Sequence, residues 1–296
     1  MKKVLLIINP RAGKGLIKGS VLSVVDILIK NDMDVTIYTT QRRLDAYEVA
    51  RERAGEFEMV ICSGGDGTLD EVVTGLLDGK HTCPVGYIPA GSTNDFAHSL
   101  RIPSKMTEAA RIVANGKPFA CDIGSFGKNY FVYIAAFGVF TEVSYKTNQD
   151  MKNLIGHLAY VLEGAKSIFN IKTYRLRIET RDVTLVGDFI YGMVANSESV
   201  GGFRNITGKN IRLDDGLFEV VLIRKPATPL DWEPILSGLL TRDVDNEHVY
   251  FFKADWVKIT TEEEIPWTLD GEDGGKHKNV EIRNLKQAVQ IMVKKE

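Results

Sequence analysis

Through its first 120 residues the chain alternates between two patterns. Short β-rich runs, VLLIIN (4–9), DVTIYTT (34–40), MVICSGG (59–65) and PVGYIPAG (84–91), are separated by helix-compatible segments at 16–31, 44–54, 68–78 and 93–100. Strand, loop and helix in succession predict parallel strands joined by crossover helices. The continuous apolar run at 4–8 suits a sheet covered on both faces. The expectation is a doubly wound α/β domain, in which ligands sit beyond the carboxyl ends of the strands. Three loops fall there: NPRAGKG (9–15), SGGDGT (63–68) and PAGSTND (89–95).

The pattern changes near residue 122. Alternating runs follow at 174–180, 188–197, 217–225, 256–263 and 280–284, with helical patterns only at about 151–169 and 229–240. Turn signals such as DDG, GEDGG and GKHKN separate them. This predicts a second domain that is a mainly antiparallel β-sandwich. The boundaries read as 1–122 for the α/β domain and 123–285 for the sandwich. The tail 286–296 ends in an apolar run (288–293), and its return to the first domain is left open.

Bulk properties exclude several classes. The 296 residues exceed one ordinary core. A formal net charge of −2 gives no basic excess for nucleic acid. Cys62, Cys83 and Cys121 lack metal spacing and cannot all pair, which suits a reduced cytoplasmic protein. The N-terminal apolar run is short and ends at Asn9-Pro10, so it reads as a strand rather than a leader. The most apolar later stretch, YFVYIAAFGVF (130–140), has 11 residues, against about 20 needed to span a bilayer. Membrane contact is therefore expected to be peripheral.

The loops carry the chemistry. In SGGDGT the glycines leave bare N–H groups that approach an anion closely, and the following helix aims its N-terminus at the same place. No Gly-Lys-Ser/Thr follows, so this is not a P-loop. A carboxylate, Asp66, in the middle of a phosphate cradle makes sense if Mg²⁺ stands between them, held by Asp66 directly or through a water. The alternative is a helix-capping turn. NPRAGKG offers a second phosphate wall, with Asn9, loop N–H groups and Lys14, or simply a turn that Pro10 begins. PAGSTND adds Ser92 and Asn94, and its Asp95 would bring a second carboxylate beside Asp66.

In this order, NPRAGKG, SGGDGTLDEVVTGL, GYIPAGSTNDFAHSL, CDIGSFGKNYFVYIAAFG, LDDGLFEVVLI and LDGE resemble the diacylglycerol kinase catalytic family, which includes bacterial soluble lipid kinases and the sphingosine and ceramide kinases. Any one of these motifs is weak alone; six in order span essentially the whole chain. NAD kinases and phosphofructokinases share the glycine-aspartate loop but lack the NDFA and LDGE segments. The resemblance implies an ATP- and Mg²⁺-dependent kinase acting on a lipid hydroxyl in the cleft between the domains. It implies a nucleotide site of Asn9, Pro10, Arg11, Ala12, Gly13, Thr40, Gly65, Asp66, Gly67, Thr68, Leu69, Asp70, Glu71 and Ser92, where relatives often have Thr at the last position. It implies a separate metal site from the Asp215 carboxylate and the main-chain carbonyls of Arg212 and Leu217; without it, DDG reads as a hairpin turn. It places the proton acceptor in Asp270-Gly271-Glu272, favouring Glu272, with Asp270 orienting it or the substrate and the two roles open to reversal. Expected partners are a lipid substrate at a membrane surface and a second copy of the chain in a homodimer, in a cytoplasmic protein that visits the membrane transiently.

Glu163 marks a departure: some diacylglycerol-phosphorylating relatives carry Lys there, which weakens the case for diacylglycerol in particular. The five histidines show no metal spacing, and Glu262, Glu263 and Glu264 read as a solvated run. Lys146, Lys152, Lys166, Lys172, Arg175 and Arg177 flank the 151–169 segment. They form either a solvated face or a contact for anionic headgroups, worth on the order of 1 kcal/mol per charge. Two other functions compete: a kinase of a soluble acceptor, NAD kinase-like, and a nucleotide-binding regulatory protein without turnover.

Overall fold

The computed structural model describes residues 1–139, 171–200, 203–204, 211–241 and 247–295. Two compact units divide the chain: residues 1–123 with 286–296, and residues 124–285.

In the first unit, β1 (Lys2–Ile8), β2 (Met33–Thr39), β3 (Met59–Gly64) and β4 (Val85–Pro89) form a parallel sheet in the order β4-β3-β1-β2. Val4, Leu5, Leu6 and Ile7 are wholly buried, as a central strand covered on both faces requires. The crossovers are α1 (Val21–Lys30), α2 (Asp45–Arg53) and α3 (Asp66–Asp78), followed by α4 (Asp95–Ser99) and α5 (Met106–Asn115). Helix α1 packs on α5, and α2 on α3. From β1 the chain moves outward to β2, then returns to the other side of β1 as β3. The carboxyl ends of β1 and β3 therefore form a topological switch point, where loops diverge and leave room for a ligand.

The second unit is antiparallel. Its strands are β6 (Asn129–Phe131), β7 (Ile134–Gly138), β8 (Tyr174–Glu179), β9 (Thr184–Ala195), a small pair β10 (Ser199–Val200) and β11 (Phe203–Arg204), β12 (Phe218–Arg224), β13 (Val249–Ala254) and β14 (Trp256–Leu269). The strands β5 (Lys117–Phe126) and β15 (Glu272–Val293) carry the chain through the division. Helix α6 (Trp232–Thr241) follows β12. Strand β9 pairs with β8 along its first half and with β7 along its second. Strand β14 likewise serves β8 and then β7, with a register shift between Thr260 and Ile265. Long strands that bend in this way serve both layers of a sandwich. Phe126, Phe137 and Trp267 stack edge to face in the core between them, with centroids at about 5 Å.

The sequence pattern left α5 unassigned and broke β15 into a run at 280–284 and a tail. The strand is continuous for 22 residues. It crosses the break at Gln287, which takes φ +54° and donates its N–H to the buried Asp122 carboxylate at 2.8 Å. Beyond that point Ile291 pairs in parallel with Val85 of β4.

Candidate active site

The switch point gathers the three loops. The backbone N–H of Asn9 donates to the Ser63 carbonyl at 2.9 Å. The Asn9 amide donates to the Thr68 hydroxyl at 3.0 Å and accepts the Arg11 N–H at 3.0 Å. The first loop is thus stitched to the third strand and its helix. Pro10 and Arg11 form the turn, and Ala12 and Gly13 open a short 3₁₀ segment, with Gly13 at φ +51°. Thr40 is buried just past β2, its N–H on the Ile8 carbonyl.

Helix α3 begins at Asp66, with Gly65 as its extended cap. Helix-terminal N–H groups and the positive end of the dipole face whatever lies before it. A Cβ on Gly91 would meet the Gly65 Cα at 2.6 Å, so these two loops touch backbone to backbone and only glycine allows it. Asn94, at φ +53°, closes the third loop by exchanging two 2.9 Å hydrogen bonds with Gly91. Next to it, the Asp95 N–H donates to Asp66 Oδ2 at 3.1 Å. Asp95 itself is buried, and it is its backbone N–H that meets the Asp66 carboxylate. Tyr87 places its hydroxyl 3.5 Å from Asp66 Oδ1. Burial, and then the Asp66 charge, push that phenol well above its ordinary value, so it stays a donor. Burial likewise pushes the Cys62 thiol up, removing it as a nucleophile.

The remaining nucleotide candidates are placed differently. Ser92 is exposed, Gly67 is half-buried, Thr68 is buried, and Leu69 is wholly buried in the core. Asp70 is half-buried on α3. Glu71 accepts the N–H of Leu44 at 2.9 Å and of Ala46 at 3.2 Å. It therefore caps α2 from a neighbouring helix, and burial raises its carboxyl above the ordinary range.

In the second unit, Arg212 is exposed and contacts Asp214 at 3.3 Å. Asp215 accepts the Leu217 N–H at 3.0 Å across Gly216, and its other oxygen lies 3.2 Å from Lys253 Nζ. Lys253 also pairs with Glu219 at 2.9 Å. Among the described residues no three metal-ligating side chains cluster. Asp215 offers one carboxylate of the kind a hard cation takes, and Lys253 already stands on it, so a divalent cation and this ammonium compete for the same oxygen.

Asp270 and Gly271 take φ +50° and +85°, and Leu269 pairs with Glu272. Asp-Gly with both residues left-handed is a two-residue hairpin turn. Glu272 is exposed, whereas Asp270 is buried, its carboxylate bonded to the backbone of 132–134. Of the basic candidates, Arg175 pairs with Asp188, Arg177 with Glu179, and Lys172 stands over the Tyr174 ring. Glu163, His157, Lys146, Lys152, Lys166, the 151–169 segment and the side chain of Lys14 lie outside the described residues. No pattern in the sequence pointed to Tyr87 beside Asp66 in the first unit, or to the backbone of 132–134 on Asp270 in the second.

Fold and site define an enzyme scaffold in two parts: an α/β unit with a glycine-walled, anion-ready switch point, and a β-sandwich unit that presents a carboxylate on a tight turn. The diacylglycerol kinase catalytic domain matches residues 3–126, and the YegS C-terminal NAD kinase beta sandwich-like domain matches residues 134–293. The chain belongs to the diacylglycerol kinase family and is an enzyme of the lipid kinase type. It is 32% identical over 298 residues to the diacylglycerol kinase of Staphylococcus carnosus (strain TM300), covering 100% of this chain and 96% of that one. It is 32% identical over 300 residues to that of Bacillus subtilis (strain 168), covering 100% and 98%. A solved structure from Bacillus anthracis str. Sterne, described as a candidate diacylglycerol kinase, superposes with TM-score 0.81 at 26% identity, over 99% of this chain and 95% of that one.

Proposed function

We propose that this chain transfers the γ-phosphoryl group of ATP to a hydroxyl of a lipid of the diacylglycerol class. The observation that carries the reading is the meeting of three glycine-containing loops around Asp66 at the β1/β3 switch point. Nucleotide phosphates lie on the loop of Asn9, Pro10, Arg11, Ala12 and Gly13, on the first turn of α3 and on the Gly91-Ser92 loop, with Thr40 at the rim. The donor set fits Mg²⁺: Asp66 supplies hard carboxylate oxygen at a helix start whose glycine wall a side chain would fill. When bound, Mg²⁺ neutralises charge on the transferring phosphoryl group. The chain's own work is to hold the phosphates in line on backbone N–H groups and to receive the proton of the acceptor. Glu272 takes that proton as the lipid oxygen bonds to the γ-phosphorus and the bond to the bridging oxygen of ADP breaks.

The names of the relatives support diacylglycerol as acceptor. No helix among the described residues is long and apolar enough to cross a membrane. The lipid is then met by peripheral contact at a membrane surface. The test is a labelled-ATP assay over diacylglycerol, monoacylglycerol, ceramide and polyprenol in mixed micelles, beside water-soluble acceptors. Label is expected on a lipid, and Asp66→Asn, folded, abolishes it. Label on a soluble acceptor alone, or ATP binding with no product, overturns the proposal.

A further inference from the structure

The Asp270 side chain folds back from its turn onto a bend of the neighbouring segment. Its Oδ2 accepts the N–H of Val132 at 2.5 Å, and its Oδ1 accepts those of Tyr133 at 3.0 Å and Ile134 at 2.9 Å. The Asp270 N–H returns a 2.9 Å bond to the Ile134 carbonyl. Three successive N–H groups converging on one anion form a nest, here filled by a carboxylate of the chain itself through charge-assisted bonds. The residue is only 5% exposed. The bracket is local: Ile134 opens β7, whose residues Ala135, Ala136 and Phe137 pair with the end of β14. Tyr133 also brings its hydroxyl to 4.0 Å from where Gly271 would carry a Cβ. The turn is therefore bonded to one segment through the carboxylate and the N–H of Asp270.

A proton acceptor needs a lone pair facing its substrate. Both oxygens of Asp270 accept backbone donors and the residue is buried, while Glu272, two residues on, is exposed. We infer that Asp270 is a positioning residue: the nest of Val132, Tyr133 and Ile134 holds its carboxylate, and through it fixes the turn from which Glu272 reaches the acceptor hydroxyl. This rests on the assignment of Glu272 made above and adds the segment 132–134 to the residues on which the rate depends.

The test compares wild type, Asp270→Asn, Glu272→Gln and the double variant. In Asp270→Asn an amide nitrogen replaces one acceptor and faces an N–H donor. A base displaced by about 1 Å costs on the order of 10²-fold, so kcat falls by that factor while KM for ATP holds. The acid limb of the pH–rate profile survives in Asp270→Asn and disappears in Glu272→Gln. The double variant is no slower than Glu272→Gln, because Asp270 acts through Glu272. Full activity of Asp270→Asn, loss of the acid limb in it, or additive losses in the double variant each overturn the inference. Hydrogen exchange reads the nest without turnover: the amides of Val132, Tyr133 and Ile134 exchange faster in Asp270→Asn. Unchanged protection overturns the inference even in a protein that phosphorylates no lipid, an outcome that by itself counts against the proposed function. Should Asp270→Asn not fold, Asp270→Ser, which keeps one oxygen toward the nest, is read by the same measurements.

Discussion

The closest backbone approach at the candidate site makes a quantitative prediction for Gly91→Ala. The added Cβ would lie 2.6 Å from the Gly65 Cα and 2.8 Å from Asn94 Oδ1, where ordinary contact begins at 3.4 Å. Rotamer changes cannot relieve the first contact, because it is with backbone. The third loop must move off the third-strand loop by about 0.8 Å, and the 3.1 Å bond from the Asp95 N–H to Asp66 stretches by a comparable amount. Overpacking of this kind costs about 1–3 kcal/mol. A shift near 1 Å among phosphate-positioning groups costs on the order of 10² in rate. Urea unfolding should show the lower stability, calorimetry with a non-hydrolysable ATP analogue the weaker binding, and initial rates the loss of turnover. Gly19→Ala is the control, since a Cβ there meets nothing within 4 Å. Wild-type stability and nucleotide affinity in Gly91→Ala would refute the claim that backbone contact between these loops shapes the site.

Two further outcomes concern the second unit. Burial raises the Glu219 carboxyl above its ordinary 4.5, against the pull of Lys253. The folded state therefore holds that proton more tightly than the unfolded state, so this contribution is fully present below pH 4.5 and is lost as pH rises through the folded value. Glu219→Gln should gain stability relative to wild type between pH 5 and pH 8, measured by urea unfolding; a pH-independent difference would count against it. At Asp215, Lys253→Met removes the competing ammonium, so Mg²⁺ should raise the melting temperature of the variant more than that of wild type. Equal shifts in the two proteins would show that the ammonium and the divalent cation do not compete there.

Much of this was legible in the chain. The alternation over the first 120 residues specified parallel strands and crossovers, because strand and helix periodicities differ and each reports local burial. Gly-Gly-Asp-Gly before a helical pattern, and Asn-Asp after a strand, located Asp66 and Asp95, because tight turns and helix starts have local requirements. Helix α5, though left unassigned, carries the same local signal: Met106, Ala109, Ala110 and Val113 recur at i, i+3, i+4 and i+7, and this is the stripe it buries. The extent of β15, in contrast, was illegible. Gly274 and Gly275 read as a turn, yet pairing with β14 carries the strand through them, and at Gln287 the Asp122 carboxylate holds the backbone.

What the sequence determined by itself is therefore whatever neighbouring residues decide: the order of elements, the turns at glycine, and which carboxylates stand at loop tips. The difference in surroundings between Asp270 and Glu272 was decided only in three dimensions. In the sequence they are two carboxylates flanking one glycine. In the fold, partners more than 130 positions away bring three N–H groups to the first, which is buried, while the second is exposed. Glu71 shows the same thing within the first unit, where the N-terminus of α2 claims a carboxylate that its motif assigns to the nucleotide. A carboxylate's role follows from which donors surround it and how dry they are, and long-range packing alone sets both.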